Sequence, residues 1–323
     1  MTLLLPTPDA PLRIGTRGSP LALAQAHETR DRLAAAFDLP QEAFQIVVIK
    51  TTGDAVQDRP LKEIGGKGLF TREIEDDLLQ GRIDIAVHSM KDMPVEQPAG
   101  LILDTYLPRE DVRDAFVSPT KSAIDALEPG ATVGTSSLRR KAQILNRRPD
   151  LNVVEFRGNV QTRLRKLDDG VADCTFLAMA GLNRLRRDDV PATPIPVDAM
   201  LPAVAQGAIG IERRSLDART AEMLAAIHDT PTGQRLAAER AFLAALDGSC
   251  ETPIAGLAEL EGDTLRLRGE ILRPDGSERL HDERSCAIAD GAGMGREMAN
   301  ELLAKAGAGF FDWRQEHVTP RSV

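Results

Sequence analysis

The 323-residue chain reads as an α/β protein, with two α/β lobes joined by a double crossing and then a small C-terminal α+β domain. Three observations predict this. Short apolar runs alternate with capped helical stretches as far as about residue 230, the pattern of βαβ units. Two punctuated segments, Pro108-Arg109-Glu110-Asp111 and Leu201-Pro202-Ala203-Val204-Ala205-Gln206-Gly207, break that alternation and read as crossings between lobes. Past Pro231 the pattern changes to one long Ala-rich helix and then alternating strands with tight turns. The expected division is 1–107 with 208–228 for lobe 1, 108–207 for lobe 2, and 229–323 for the small domain.

Lobe 1 opens with a strand over Leu12 to Thr16. Ser19 suits an N-cap and Pro20 the first helical position, so a helix should run to about Phe37. Arg17 lies in the intervening turn, beside helix N–H groups that favour an anion. Gln45 to Thr51 is the second strand. Gly65-Gly66-Lys67-Gly68 is too glycine-rich for regular structure and lacks the Walker spacing. It reads either as a plain turn or as a lid carrying a cation. A helix from Phe70 to Gln80 leads into the apolar run that starts at Ile83, a buried strand bounded by Gly81 and Pro94. Ser89, Lys91 and Asp92 then fall at the carboxyl end of that strand, where open α/β sheets bind ligands. An acid beside a base there suits proton chemistry, and a solvated turn is the plainer reading. Leu101 to Leu107 completes the lobe.

In lobe 2, Thr132 to Thr135 is a strand and Ser136-Ser137 cap a helix carrying Arg139 and Arg140. Leu151 to Phe156 is the next strand. Arg157-Gly158-Asn159 turns into a helix bearing Arg163, Arg165 and Lys166, stopped at Gly170. Asp173 to Ala180 is the last strand. Ala208 to Glu212, after the second crossing, is free to return to lobe 1, which would make a hinged cleft. In the small domain, Thr232 to Leu246 is a helix and Asp247-Gly248-Ser249-Cys250 a loop. Strands flank Glu261-Gly262-Asp263, another follows Pro274-Asp275-Gly276, and a helix from Met294 to Ala306 closes the fold.

Composition excludes several function classes. Net charge is −9 and aromatics are 3%, which argues against a nucleic-acid or anionic-membrane surface. No apolar run reaches the length of a membrane span. The N-terminus lacks the basic n-region of a signal peptide. Three dispersed cysteines make no metal pattern and fit a reducing compartment, so the expected location is cytoplasmic. Charge is uneven, however. Between Ser136 and Lys166 there are nine Lys/Arg against two acids, a local field suited to an anionic ligand or else a solvated helix face.

Several ordered motifs carry a resemblance. They are Ile14-Gly15-Thr16-Arg17-Gly18-Ser19-Pro20-Leu21-Ala22, Gly65-Gly66-Lys67-Gly68-Leu69-Phe70 and Val87-His88-Ser89-Met90-Lys91-Asp92. Gly134-Thr135-Ser136-Ser137-Leu138-Arg139-Arg140, Arg157-Gly158-Asn159-Val160 and Glu239-Arg240-Ala241-Phe242 with Gly248-Ser249-Cys250 follow. In these the chain resembles the porphobilinogen deaminase family over nearly its whole length. The resemblance implies two periplasmic-binding-protein-like lobes and a small third domain. It implies a monomeric transferase that joins four porphobilinogen molecules head to tail, with loss of ammonia, to give hydroxymethylbilane for tetrapyrrole and heme synthesis. It implies a dipyrromethane cofactor on a thioether at Cys250 and a catalytic carboxylate at Asp92. Cofactor binding would fall to Arg17, Ser89, Lys91, Thr135, Ser136, Ser137, Arg139, Arg140, Arg157, Gly158, Asn159 and Arg163. Substrate or lid contacts would fall to Lys67, Arg17, Arg157, Arg163 and Gln206, and no metal is implied. Two positions depart from the family pattern: Lys62 and Glu63 lie where a second lid lysine is common, and Ala205 stands where glycine is common. The alternative reading is a two-lobe anionic solute-binding protein without catalysis, which would need neither Asp92 nor Cys250.

Overall fold

The structure is a computed structural model that describes residues 3–55, 71–246, 248, 252–307 and 309–311. Lys62, Glu63, Lys67 with its glycines, and Cys250 lie outside the described residues.

Lobe 1 is built on a five-stranded sheet of order β2-β1-β3-β10-β4. Its strands are β1 (Leu12–Arg17), β2 (Phe44–Ile49), β3 (Ile85–Ser89), β4 (Leu101–Tyr106) and β10 (Ile209–Arg214). The first three run parallel, and β10 lies antiparallel between β3 and β4. The strand after the second crossing therefore does return to lobe 1. Helix α1 (Pro20–Phe37) starts where the sequence places it, because the Ser19 side chain accepts from the Ala22 N–H and Pro20 fills the first turn. It ends at Asp38 in a left-handed conformation. A single turn, α2 (Thr52–Ala55), follows β2, and α3 (Arg72–Leu79) covers the face of the sheet holding Ile83, Ala86 and Leu101.

Lobe 2 repeats the plan, with sheet order β7-β6-β8-β5-β9. Its strands are β5 (Asp114–Val117), β6 (Thr132–Gly134), β7 (Asn152–Val154), β8 (Cys174–Ala178) and β9 (Ala192–Pro194). Strands β6, β7 and β8 are parallel, while β5 is antiparallel to β8. So β5 and β10 hold equivalent places, and each is delivered by a crossing. Helices α4 (Leu138–Arg147) and α5 (Val160–Asp168) are capped by Ser137 and Asn159. The strand expected from Asp173 to Ala180 stops at Ala178, where α6 (Met179–Arg184) begins. Strands β5 and β9 have no counterpart in the sequence reading. They are only 4 and 3 residues long, too short to show alternation.

Helix α7 (Ala218–Ala225) ends lobe 1 and α8 (Thr230–Ala245) starts the small domain. The latter packs with α9 (Gly291–Ala306) on the antiparallel sheet β11 (Ile254–Glu261), β12 (Thr264–Leu272), β13 (Arg279–Ala287). Among the described residues no helix is long and apolar enough to cross a membrane.

The two crossings are tied together by a buried ion pair. Glu239 on α8 is fully buried and takes both prongs of Arg109, at 2.6 and 3.0 Å. The same carboxylate accepts from the backbone N–H groups of Ala205 and Ala258 at 2.7 and 2.8 Å. Arg109 also donates to the Gln206 carbonyl at 2.9 Å. One group thus joins both crossings to the small domain. Gly207 has φ +86°, and a Cβ there would meet the Glu110 carbonyl at 2.5 Å, so only glycine fits. Ala205, two residues earlier, holds φ +60° without being glycine. Its departure from glycine is thus a left-handed alanine, a local strain in the crossing. Glu239→Gln is expected to cost about 3–5 kcal/mol, because it leaves the Arg109 charge buried without its partner. Chemical denaturation checks this, and a loss under about 1 kcal/mol would mean the pair contributes little.

Candidate functional site

The carboxyl ends of β1 and β3 meet at a cavity of about 70 Å³ lined by Arg17, Ser19, Gln25, His88, Ser89 and Asp92, among others. Strand β3 ends at Ser89, and Met90–Asp92 form one tight turn, so Asp92 stands exposed at the strand's end. The turn is held from below, where the Met90 N–H donates to the Ala208 carbonyl at 3.0 Å. Ser89 is fixed by Gln25, whose amide nitrogen lies 2.8 Å and amide oxygen 3.1 Å from the hydroxyl. Gln25 is 3% exposed and points off α1 into the site. No sequence pattern singles it out; only its distance of six residues from the Ser19 cap could have placed it near the strand ends.

Electrostatics join this corner to lobe 2. The Lys91 ammonium is enclosed, and that desolvation pulls its pKa down to about 8. Asp92 and Asp114 pull it back up, while Arg140 and Arg163 push it further down. Arg163, on α5, is lowered to about 10, again by burial first, then by Arg140, against the favourable pull of Asp92. One carboxylate at Asp92 therefore favours the charged forms of cations from both lobes, against the burial that chiefly opposes them. The expected titration follows. Lys91 should titrate near 8 in the ligand-free protein, and higher once a polyanion fills the cleft. Because the folded value lies below the unfolded one, stability attached to Lys91 is complete above about pH 10.4 and is lost as pH falls through 8. NMR of methyl-labelled lysines reads this directly. An unshifted Lys91 would remove the claim of a cation-crowded cleft.

Arg139 and Arg140 meet a carboxylate of the protein itself. Both are 4% exposed. Arg139 pairs with one oxygen of Asp114 at 2.8 Å, and Arg140 with the other at 2.7 Å. Arg139 also donates to the Leu201 carbonyl, and Arg140 to that of Phe176. Asp114 is fully buried, and the two guanidinium groups outweigh its burial and hold its carboxyl well below the usual carboxylate range. Gln206, also buried, donates to Asp114 at 3.0 Å and to the Val112 carbonyl at 2.8 Å. An incoming carboxylate would feel the field of Arg139 and Arg140 but would compete with Asp114 for their forks.

The remaining lobe 2 candidates build two turns. Thr135 accepts from the Ser137 N–H, Ser136 from the Phe156 N–H, and Ser137 caps α4. Gly158 has φ +119°, and its carbonyl accepts from Arg163 Nε at 2.9 Å. Asn159 caps α5 through the Thr162 N–H. This corner sets Arg157 and Arg163 at one helix start. Arg184, which the sequence reading passed over, bridges the lobes through Glu28 at 3.3 Å and the Gly207 carbonyl at 3.0 Å.

One apolar cluster links Asp92 to the small domain. Met90 and Met93 flank the turn, and both pack in the same core as Phe242, Leu246 and Ile254. Leu246 and Ile254 bracket the segment that contains Cys250. Arg240 adds bonds from α8 to the carbonyls of Pro94 and Val95 at 2.8 and 3.0 Å. A larger groove of about 470 Å³ lies between lobe 2 and the small domain. Its charges are paired, Arg268 with Asp198 across it and Arg279 with Glu270 within the small domain's sheet, and none of the candidate residues lines it.

Comparison with known proteins gives two family matches. The model described as "Porphobilinogen deaminase, dipyromethane cofactor binding domain" covers residues 12–222, and "Porphobilinogen deaminase, C-terminal domain" covers residues 234–304. A porphobilinogen deaminase of Paracoccus denitrificans is 70% identical over 309 residues, 96% of this chain and 99% of that one. That of Nitrobacter winogradskyi is 55% identical, covering 92% and 94%. A chloroplastic porphobilinogen deaminase of Oryza sativa is 55% identical, covering 93% and 86%. A solved periplasmic substrate-binding protein of Coxiella burnetii aligns over 69% of this chain and 93% of that one, with 14% identity and a TM-score of 0.41.

Proposed function

The chain belongs to the porphobilinogen deaminase family, and from that footing we propose which of its residues perform the synthesis of hydroxymethylbilane. The family activity makes it an enzyme of tetrapyrrole biosynthesis acting on porphobilinogen, and residues 12–222 match a cofactor-binding domain for dipyrromethane. As a transferase, it would act in the cytoplasm as a monomer.

Asp92 is the catalytic carboxylate in this reading. Loss of ammonia from the substrate leaves positive charge on the pyrrole, and a fixed carboxylate stabilises it as it develops. The same oxygen can take the proton that the joined ring must lose. Arg163, Arg157, Lys91 and Arg17 bind the acetate and propionate groups that each ring brings. The depressed pKa values of Lys91 and Arg163 support this, since both are buried cations that an incoming carboxylate would stabilise.

A dipyrromethane fits the residues present for the same reason, and it would be held by these cations and by Ser89. When bound, it supplies the primer to which substrate units are joined. Cys250 is its attachment point in this reading. The observation that supports the assignment is that Met90 and Met93 belong to the same apolar core as Leu246 and Ile254, which lie on either side of the Cys250 segment in the chain.

Arginine variants test the binding set. Arg163→Leu should slow elongation at least about tenfold, because a cation facing Asp92 and the incoming carboxylates is lost. Arg147→Leu, at the far end of α4 and paired with exposed Asp125, should be nearly silent. Equal losses in a stepwise elongation assay would mean that the basic segment acts as a general field.

A further inference from the structure

The cleft described so far recognises carboxylates. Its substrate also carries an aminomethyl group, a cation that leaves as ammonia, and the Arg and Lys cluster repels it. One wall has the opposite character. His88 sits on β3 directly before Ser89 and lines the cavity that Arg17, Ser89 and Asp92 line. Its Nε2 lies 3.0 Å from Oε2 of Glu212, with side-chain exposures of 5% and 0%.

The sheet explains this pair. His88 faces Gly210 across the β3–β10 ladder, and Glu212 faces Ala86. Both directly opposed residues are small, so Glu212 reaches His88 along the diagonal. A Cβ on Gly210 would also strike Met90 Sδ at 2.1 Å, so the glycine lets the Asp92 turn fold over β10. Helix α3 covers the same face and places Glu75 there, 9% exposed. Burial and then Glu212 raise the Glu75 pKa, opposed first by Thr71 and then by His88. The groups around His88 are therefore Glu212 from β10, Glu75 and its neighbour Asp76 from α3, and Arg17 and Asp92 across the cavity. Glu212 Oε1 has no hydrogen-bond partner among the described residues.

The geometry points to His88 as a specificity-determining residue for the substrate's amine: Glu212 accepts from its Nε2–H, so Nδ1 is left as an acceptor toward the cavity beside Ser89 and Asp92. In a neutral imidazole a donor at one nitrogen leaves a lone pair at the other. The buried Glu212 carboxylate behind it makes this wall favour a cation. The inference rests on Asp92 marking the reaction site.

Steady-state kinetics of the holoenzyme test it with two pyrroles. One is porphobilinogen. The other is the same pyrrole dicarboxylate with hydrogen in place of the aminomethyl group, used as a competitive inhibitor. His88→Gln should raise KM for porphobilinogen about tenfold and leave the inhibitor constant within about twofold. A parallel rise in both would show that His88 only holds the sheet, and no change in either would remove it from recognition. If the inhibitor fails to bind even the wild type, the site assignment itself is wrong, and with it this inference. Nitrogen-15 NMR of the wild-type imidazole gives a readout independent of turnover and of variant folding. The Nε2–H tautomer is expected, and an Nδ1–H tautomer would overturn the proposal.

Discussion

Asp92→Asn is expected to reduce turnover by about 100-fold or more while leaving the fold and the bound cofactor intact. Asparagine has nearly the same shape and can sit in the same Met90–Asp92 turn, which the Ala208 carbonyl holds through the Met90 backbone rather than through the side chain. What it loses is the negative charge. That charge is the one carboxylate to which the pKa shifts of both Lys91 and Arg163 respond from opposite lobes. Removing it leaves an excess of cations around a reaction that creates positive charge, so the barrier rises by electrostatics alone. The change should appear in kcat, since the interaction strengthens as charge develops. Retention of more than about a tenth of wild-type turnover, a loss under ~1.4 kcal/mol, would assign the chemistry elsewhere.

Cys250→Ala is expected to abolish turnover, while Cys174→Ala and Cys286→Ala remain active. The three thiols differ in environment. Cys174 is fully buried in β8, where desolvation, and then Asp173, push its pKa up to about 12. A thiol so protected behaves as a small hydrophobe and cannot supply a thiolate. Cys286 is on β13 and is also raised by burial. Its strand is an edge of the small domain's sheet, on the other side of β12 from β11, and no candidate site residue pairs with it. Cys250 belongs to the segment between Leu246 and Ile254, whose ends share a core with the Asp92 turn. Measured turnover in Cys286→Ala below a tenth of wild type would put the attachment in doubt.

Local signals were the legible ones. Ser19-Pro20, Ser137 and Asn159 start their helices as expected, because a cap is decided within four residues. The β3 run and its exit at Asp92 were equally readable, since burial on both faces and a following proline are written in consecutive residues. What could not be read depends on partners far along the chain. Arg139 and Arg140 count as cations in any charge tally, yet both pair with Asp114, a strand-starting acid 26 residues before Arg140. Gln25 acquires a role only through Ser89, 64 residues away, and His88 only through Glu212, 124 residues away. The clamp of Glu239 on Arg109 and Ala205 likewise exists only after the small domain docks on both crossings.

Intact mass of the purified protein, beside that of Cys250→Ala, tests the central claim most directly. The account predicts that the wild-type chain exceeds its sequence mass by two linked pyrrole units, and that Cys250→Ala alone among the cysteine variants loses that excess. A fully active protein at the bare sequence mass would contradict it.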